Sequence, residues 1–416
     1  MNDKKYKIAV FHNLPSGGAK RSLYTYIQYL TNNGHTVDVY IPETANEDYL
    51  PLEEVASSIK IYEVKKSFWR EKLYSIFSYV PAIIKRVSVN NVFKTEEKIA
   101  EELNASDYDI VYCEQDQYTM TPVILKYLKK TNVYYCQQPV RVDKILKKVN
   151  DQKEKIGFFN NALIRPFSSY FVKHVETNDY ERDLELAEYA TNILANSYFS
   201  HESILRQYGK NAYVSYIGLD TDKFQNFNLK REDYVLSVGT CIPPKGYDFL
   251  IKSLSHIVIE KRPRLVIVGN SSDEGWVSYL KKLADENAVD LTIQTMITDE
   301  DLVRLYNKAK MVVYAPYLEP FGYVPLEAMA CGTPVVGVKE GGIKETVLHK
   351  KTGLLTQRDE KDFARAIELL LDDEDLWNKL SQTGVRYVDC FWTLEHAGQR
   401  LINNIERILE EEDKND

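Results

Sequence analysis

The sequence predicts an α/β protein made of two doubly wound parallel sheets in series. Three observations carry this. Short apolar runs bounded by turn residues alternate with stretches of helical spacing, the mark of βαβ units. The alternation breaks and restarts between residues 205 and 230. The 416 residues also exceed the ~250–300 at which one core stops growing, so two domains with a cleft between them are expected.

The first unit opens with "KIAVFHNL" as a buried strand, "PSGGAKRS" as a glycine turn, "LYTYIQYLTNNG" as a helix ended by Gly34, and "HTVDVYIP" as a second strand. "YDIVYCE" and "NVYYCQQ" read as strands flanking a helical "TMTPVILKYLKK", and "TNILANS" as a strand after a charged helix from about Asn178 to Ala190. The pattern restarts with the strand "DYVLSVGT", a loop holding Pro243, Pro244 and Gly246, the helix "YDFLIKSLSHIVI" and the strand "RLVIVGN". "VDLTIQTM", the helix "DEDLVRLYNKA" and the strands "KMVVYAP" and "TPVVGV" follow, and "TLEHAGQRLINNIERILEEEDKND" is a closing helix with an acidic end.

Composition narrows the class of function. Apolar residues at 44% and charged residues at 27% are ordinary for a globular protein. A net charge of −8 argues against a nucleic-acid binder that works by bulk attraction to phosphates. Five scattered cysteines without a C-x-x-C fit a reduced, cytoplasmic compartment. The amino-terminal apolar run of four residues is shorter than the ~7–15 of a signal peptide, and no stretch reaches the ~18 of a spanning helix.

"EPFGYVPLEAMACGTPVV" places two carboxylates, Glu319 and Glu327, around a turn and a helix start near Tyr323 to Pro325, with Gly332 just past the helix end. The free N–H groups of that helix would point out of the carboxyl edge of the sheet, where open α/β sheets bind ligands and anions are favoured. A carboxylate accepts two hydrogen bonds side by side, which suits the vicinal hydroxyls of a ribose or hexose. The plainer alternative is that Glu327 complements a helix dipole and Glu319 is a solvated loop charge. Further anion devices are Gly239, Thr240, Lys245 and Gly246 in "VGTCIPPKG", Gly17 and Gly18 in "SGGAKRS", and Gly341 and Gly342 in "KEGGIKETV". The glycines of "SGGAKRS" lack the G-x-G-x-x-G spacing and no acidic residue ends the second strand, so a nicotinamide oxidoreductase is disfavoured.

"EPFGYVPLEAMACGTPVVGVKEGGIKETV", with "KTGLL" after it, resembles the donor-binding signature of retaining glycosyltransferases of family four. The likeness extends through "ILANSYFSHESILRQYG", "YIGLDTDKF", "VLSVG", "PPKGYDFLIKSL" and "FWTLEHAGQRL", and in the first half through "SGGAKRSLYTY" and "YYCQQPVR". It implies the GT-B fold: two Rossmann-like domains, acceptor-binding over 1–210 and donor-binding over 211–392, with an interdomain cleft and a helix at 393–416 returning to the first domain. The implied reaction moves a hexose from a nucleotide diphosphate sugar, GDP-mannose or a UDP-hexose, to a glycan or lipid-linked acceptor in polysaccharide biosynthesis, without metal or cofactor.

By the same resemblance, Glu327 would hold the ribose and Glu319 the donor hexose. Backbone at Phe321, Gly322, Tyr323 and Val324, with Gly17, Gly18, Gly239 and Thr240, would cradle sugar and diphosphate, and Lys245 would neutralise the leaving phosphates. Two positions depart from the family: the loop before Lys245 lacks an arginine, and Gln137 stands where relatives often carry a histidine. Gln137 is still expected to position the sugar, and Arg141 on the acceptor side is the candidate to replace the missing charge. The two D-x-D triplets, at Asp107 and Asp220, are read as decoys.

Lys65, Lys66, Arg70, Lys72, Lys85 and Arg86 stand against Glu71 alone in a stretch that also carries Phe68, Trp69, Phe77 and Tyr79. Residues 65–87 and 144–173 are thus candidates for peripheral contact with an anionic membrane at the inner face of the plasma membrane. Their alternative is a pair of amphipathic helices with solvated lysines. A second reading of the whole chain, suggested by Thr240 and Gln137, is a non-catalytic GT-B subunit that binds a partner glycosyltransferase.

Overall fold

A computed structural model describes residues 4–65, 81–139, 180–269 and 274–414. The first lobe is a parallel sheet of β1 (Lys7–Asn13), β2 (Thr36–Pro42), β3 (Ser58–Tyr62), β4 (Ile110–Asp116), β5 (Asn132–Cys136), β6 (Asn192–Ala195) and β7 (Tyr213–Val214), in the order β3-β2-β1-β4-β5-β6-β7. The second is β8 (Tyr234–Val238), β9 (Arg264–Gly269), β10 (Leu291–Thr295), β11 (Met311–Tyr314), β12 (Val335–Val338) and β13 (Gly353–Thr356), in the order β10-β9-β8-β11-β12-β13. Helices α1 (Gly18–Asn32), α2 (Pro81–Asn104) and α3 (Tyr198–Tyr208) accompany the first sheet. The second carries α4 (Tyr247–Ser255), α5 (Glu274–Glu286), α6 (Asp299–Lys308), α7 (Tyr323–Ala330), α8 (Ile343–Thr346), α9 (Glu360–Asp372) and α10 (Glu374–Phe391), and α11 (Leu394–Glu412) closes the chain.

The local rules explain these elements. Strands β1, β4 and β5 are buried along nearly their whole length, as parallel strands covered on both faces must be, so they read as apolar runs rather than alternations. Helix α1 buries Leu23, Tyr26, Ile27 and Leu30, the i, i+3, i+4, i+7 stripe of a one-sided helix. Helix α11 returns to the first lobe and lays Leu401, Ile402, Ile405 and Ile408 against it. Gly398 makes that approach possible, since a Cβ there would stand 2.1 Å from the ring of Tyr29. The chain crosses between lobes at 215–220 and again at 391–394, and the two crossings are tied by the Leu219 N–H donating to the Trp392 carbonyl at 2.6 Å.

Several expectations needed revision. "TMTPVILKYLKK" forms only a 3-10 turn at Val123–Lys126 after Pro122. Side chains of α2 replace the helix's own bonds there: Glu96 accepts the Ile124 N–H at 2.7 Å, and Asn104 binds both the Tyr127 carbonyl and the Lys129 N–H. Helix α4 stops at Ser255, short of "HIVI", because Arg262 gathers the Ser255 and Ile257 carbonyls and turns the chain. Strands β3, β7 and β13 and helices α3, α5, α8, α9 and α10 were not anticipated as elements, and α2 only at its start, in the alternative reading of residues 65–87. The first sheet takes in Tyr213–Val214, beyond the expected boundary at 210.

Candidate active site

In each sheet the strand order reverses at one point, between β1 and β4 in the first and between β8 and β11 in the second. Loops leaving the carboxyl ends of those strands form the crevice in which open α/β sheets take ligands. Here the two crevices face one another across a cleft of 820 Å³. Gly17, Gly18 and Gln137 line it from the first lobe, and Gly239, Thr240, Lys245, Glu319, Phe321, Gly322, Tyr323, Val324 and Glu327 from the second, whereas Gly246, Gly341 and Gly342, also expected at an anion site, do not line it. Arg141 and the segments 66–80 and 144–173 lie outside the described residues, as do the side chains of 81–87.

The β11–α7 loop sets the carboxylates. Gly322 takes φ 103 as the N-cap of α7, a conformation costly for any other residue, and the first residues of α7, Tyr323 and Val324, line the cleft beside it. Pro325 lies in the first turn, where a missing N–H costs nothing. Gly341 and Gly342 do not form an open ligand loop. They close on the backbone of this one: the Gly342 N–H donates to the Glu319 carbonyl at 2.8 Å, and a Cβ on Gly342 would stand 2.2 Å from the Pro320 carbonyl oxygen. Those glycines therefore fix Glu319 from behind.

Lys245 ends a 3-10 turn at Pro243–Lys245, and Gly246, left-handed at φ 71, lets the chain pass within van der Waals reach of Ala315. The ammonium of Lys245 donates to both oxygens of Glu319, at 3.0 and 2.8 Å. Glu327 is buried. Its Oε1 accepts from Arg21 Nη1 at 2.9 Å and its Oε2 from the Tyr306 hydroxyl at 2.6 Å. Arg21 also donates to the Tyr49 hydroxyl at 3.1 and 3.0 Å and stands 3.8 Å from Asp299. Burial works against its charge, but Glu327 and Tyr49 outweigh burial and hold the guanidinium firmly protonated.

On the facing lobe Gln137 donates through Nε2 to Glu114 at 3.2 Å and to Ser22 at 3.4 Å, while Ser200 holds its carbonyl at 2.8 Å. Glu114 lies beneath it, fully buried, with Tyr112 donating to its other oxygen at 2.8 Å. Burial pushes the Glu114 carboxyl up to about 8, against the pull of the Tyr112 and Gln137 hydrogen bonds. Expectation from sequence missed Glu114 and Arg21. The signal for Glu114 was a carboxylate closing an apolar strand at the switch point; Arg21 stood in a quoted glycine segment, but nothing local ties it to a carboxylate 306 residues away. Its neighbour Lys20 turns into the lobe instead, bonded to Glu47 beside the buried His12.

Of the D-x-D triplets, Asp109 accepts the Lys7 N–H at 2.7 Å, Asp107 pairs with the Lys7 ammonium, and Asp220 accepts from the Asp222 and Lys223 amides. Among the described residues no helix is long and apolar enough to cross a membrane.

Two Rossmann-like lobes that share a cleft at their switch points, with a terminal helix returning to the first lobe, define the GT-B fold. Residues 220–386 match the family of glycosyl transferases group 1. The chain is 29% identical over 200 residues to the putative glycosyltransferase YtcC of Bacillus subtilis, covering 46% of this chain and 49% of that one. It is 35% identical over 146 residues to a D-inositol 3-phosphate glycosyltransferase of Pseudarthrobacter chlorophenolicus, covering 34% of each. The match thus spans half or less of these curated relatives' length. Among solved structures, Anabaena HepE in complex with UDP and glucose superposes with a TM-score of 0.69 over 96% of this chain and 99% of its own, at 17% identity, a likeness of fold.

Proposed function

We propose that the protein is a retaining glycosyltransferase that moves a hexose from a nucleotide diphosphate sugar, GDP-mannose or a UDP-hexose, to a glycan or lipid-linked acceptor, with no metal or cofactor. The observation that carries this reading is the convergence in one interlobe cleft of a helix amino terminus, Lys245 and the two glutamates. The family match over 220–386 and the relatives named as glycosyltransferases support it.

In this reading the bond between the anomeric carbon and the diphosphate oxygen breaks, and the acceptor hydroxyl forms its bond on the face the diphosphate leaves. The hydroxyl proton passes to a phosphate oxygen, so no protein nucleophile is needed. Charge that grows on the departing diphosphate meets the first amides of α7 and the Lys245 ammonium, donors fixed before the reaction begins. Glu327 holds the ribose, and Glu319 and Gln137 orient the hexose. A cytoplasmic site of action at the inner membrane face belongs to the same reading.

Incubation with GDP-, UDP- and ADP-sugars, read as released nucleoside diphosphate and as thermal shift, tests it. Stabilisation together with turnover is expected for one donor. Stabilisation without transfer or hydrolysis for any donor would favour the non-catalytic subunit, and no binding at millimolar concentration would defeat the reading.

A further inference from the structure

The charge inventory of the cleft leads further, resting on the reading above. Two cations line it among the described residues, Arg21 and Lys245, against four carboxylates, Asp48, Asp299, Glu319 and Glu327. Each cation is held by a glutamate: Lys245 by Glu319, and Arg21 by Glu327. A diphosphate entering this space meets an excess of negative charge and cations already engaged. Binding requires an exchange of partners.

Arg21 is built for one. It sits in the first turn of α1, on the opposite lobe from Glu327, and only its Nη1 is bonded to that carboxylate. Its side chain keeps 22% exposure beside the cleft, whereas Glu327 keeps 5%. Tyr306 holds the second oxygen of Glu327 independently, so the carboxylate stays anchored when the guanidinium leaves. A guanidinium binds phosphate oxygens through paired N–H groups as readily as it binds a carboxylate, and a ribose diol can supply the donors that Glu327 then lacks.

We propose that Arg21 is a mobile phosphate-binding residue that latches the empty cleft through Glu327 and transfers to the donor's diphosphate when a nucleotide sugar binds, freeing Glu327 for the ribose. The swap gives the site a sensor for phosphate: an uncharged nucleoside must compete with Arg21 for Glu327, whereas a nucleoside diphosphate draws Arg21 away.

Calorimetric affinities of wild type, R21Q and R21K for two probe pairs, uridine with UDP and guanosine with GDP, test this. With R21Q, the diphosphate that binds wild type is expected to lose about 10- to 100-fold in affinity, while its nucleoside binds equally or more tightly. R21K, which keeps a charge but not the paired donors, should recover part of the diphosphate affinity. Thermal unfolding of each apo variant identifies a folding failure, in which case R21K alone decides. Equal losses for nucleoside and diphosphate would reduce Arg21 to a prop for Glu327 and overturn the proposal, as would unchanged UDP and GDP affinities. If wild type binds neither diphosphate nor any nucleotide sugar, the glycosyltransferase reading fails together with it.

Discussion

Lys245 and Glu114 mark two ways in which single residues shape this cleft. Lys245 is partly exposed, donates to both oxygens of Glu319 and stands where the leaving diphosphate would gather charge. Replacing it with alanine should lower kcat/KM for the donor by ~10²–10³ and leave the thermal midpoint near wild type, a split that steady-state kinetics and a melting curve resolve. Glu114 accepts a hydrogen bond from Gln137. Its folded-state carboxyl is raised from 4.5 to about 8, so the native state retains a proton that the unfolded chain releases. The stability this contributes is complete below about 4.5 and drains away as pH climbs through about 8. Urea denaturation at pH 5 and pH 8 should show wild type losing stability relative to E114Q, at up to ~1.4 kcal/mol per pH unit. An identical difference at both pH values would show that Glu114 does not carry that proton.

At the scale of elements, glycine geometry places the chemistry. Gly246 combines a left-handed φ of 71 with a Cβ position 2.1 Å from the Ala315 carbonyl oxygen, so a methyl group there must push Lys245 or β11 aside. G246A is expected to lower kcat/KM at least tenfold and to reduce the melting midpoint, although residue 246 contributes no side chain to the cleft; an unchanged KM and midpoint would contradict that role. These placements were partly legible in the sequence. The strand–glycine–helix signals at Gly17, Gly246 and Gly322 are local, and so were visible. The 3-10 turn at Val123–Lys126 was not, because Glu96 and Asn104, distant in the chain, supply the bonds that a helix would have made. For the same reason Gly341 and Gly342 read as a ligand loop: only the folded chain sets them against the Glu319 loop.

For the whole molecule, alternating strands and helices in two series implied two lobes and a cleft, and the E-x7-E segment put its carboxylates there. What remained hidden was the traffic between lobes. Arg21 meets Glu327, and Glu345 accepts the Tyr198 and Phe199 amides at the start of α3, pairings set by the docking of two separately encoded sheets. Helix α11 belongs to this scale as well. Leu401, Ile405 and Ile408 are buried against the first lobe, each worth ~1.5–3 kcal/mol, a sum comparable with the ~5–15 kcal/mol stability of a typical domain. A chain ended at Trp392 should therefore lose cooperative unfolding of the first lobe in calorimetry, and a truncated protein melting like the full chain would refute that dependence. The most direct test of the account is a crystal structure with GDP-mannose or a UDP-hexose bound. It should show the diphosphate at the start of α7 beside Lys245, the ribose on Glu327 and the hexose between Glu319 and Gln137. A donor bound elsewhere, with both glutamates still on Lys245 and Arg21, would contradict it.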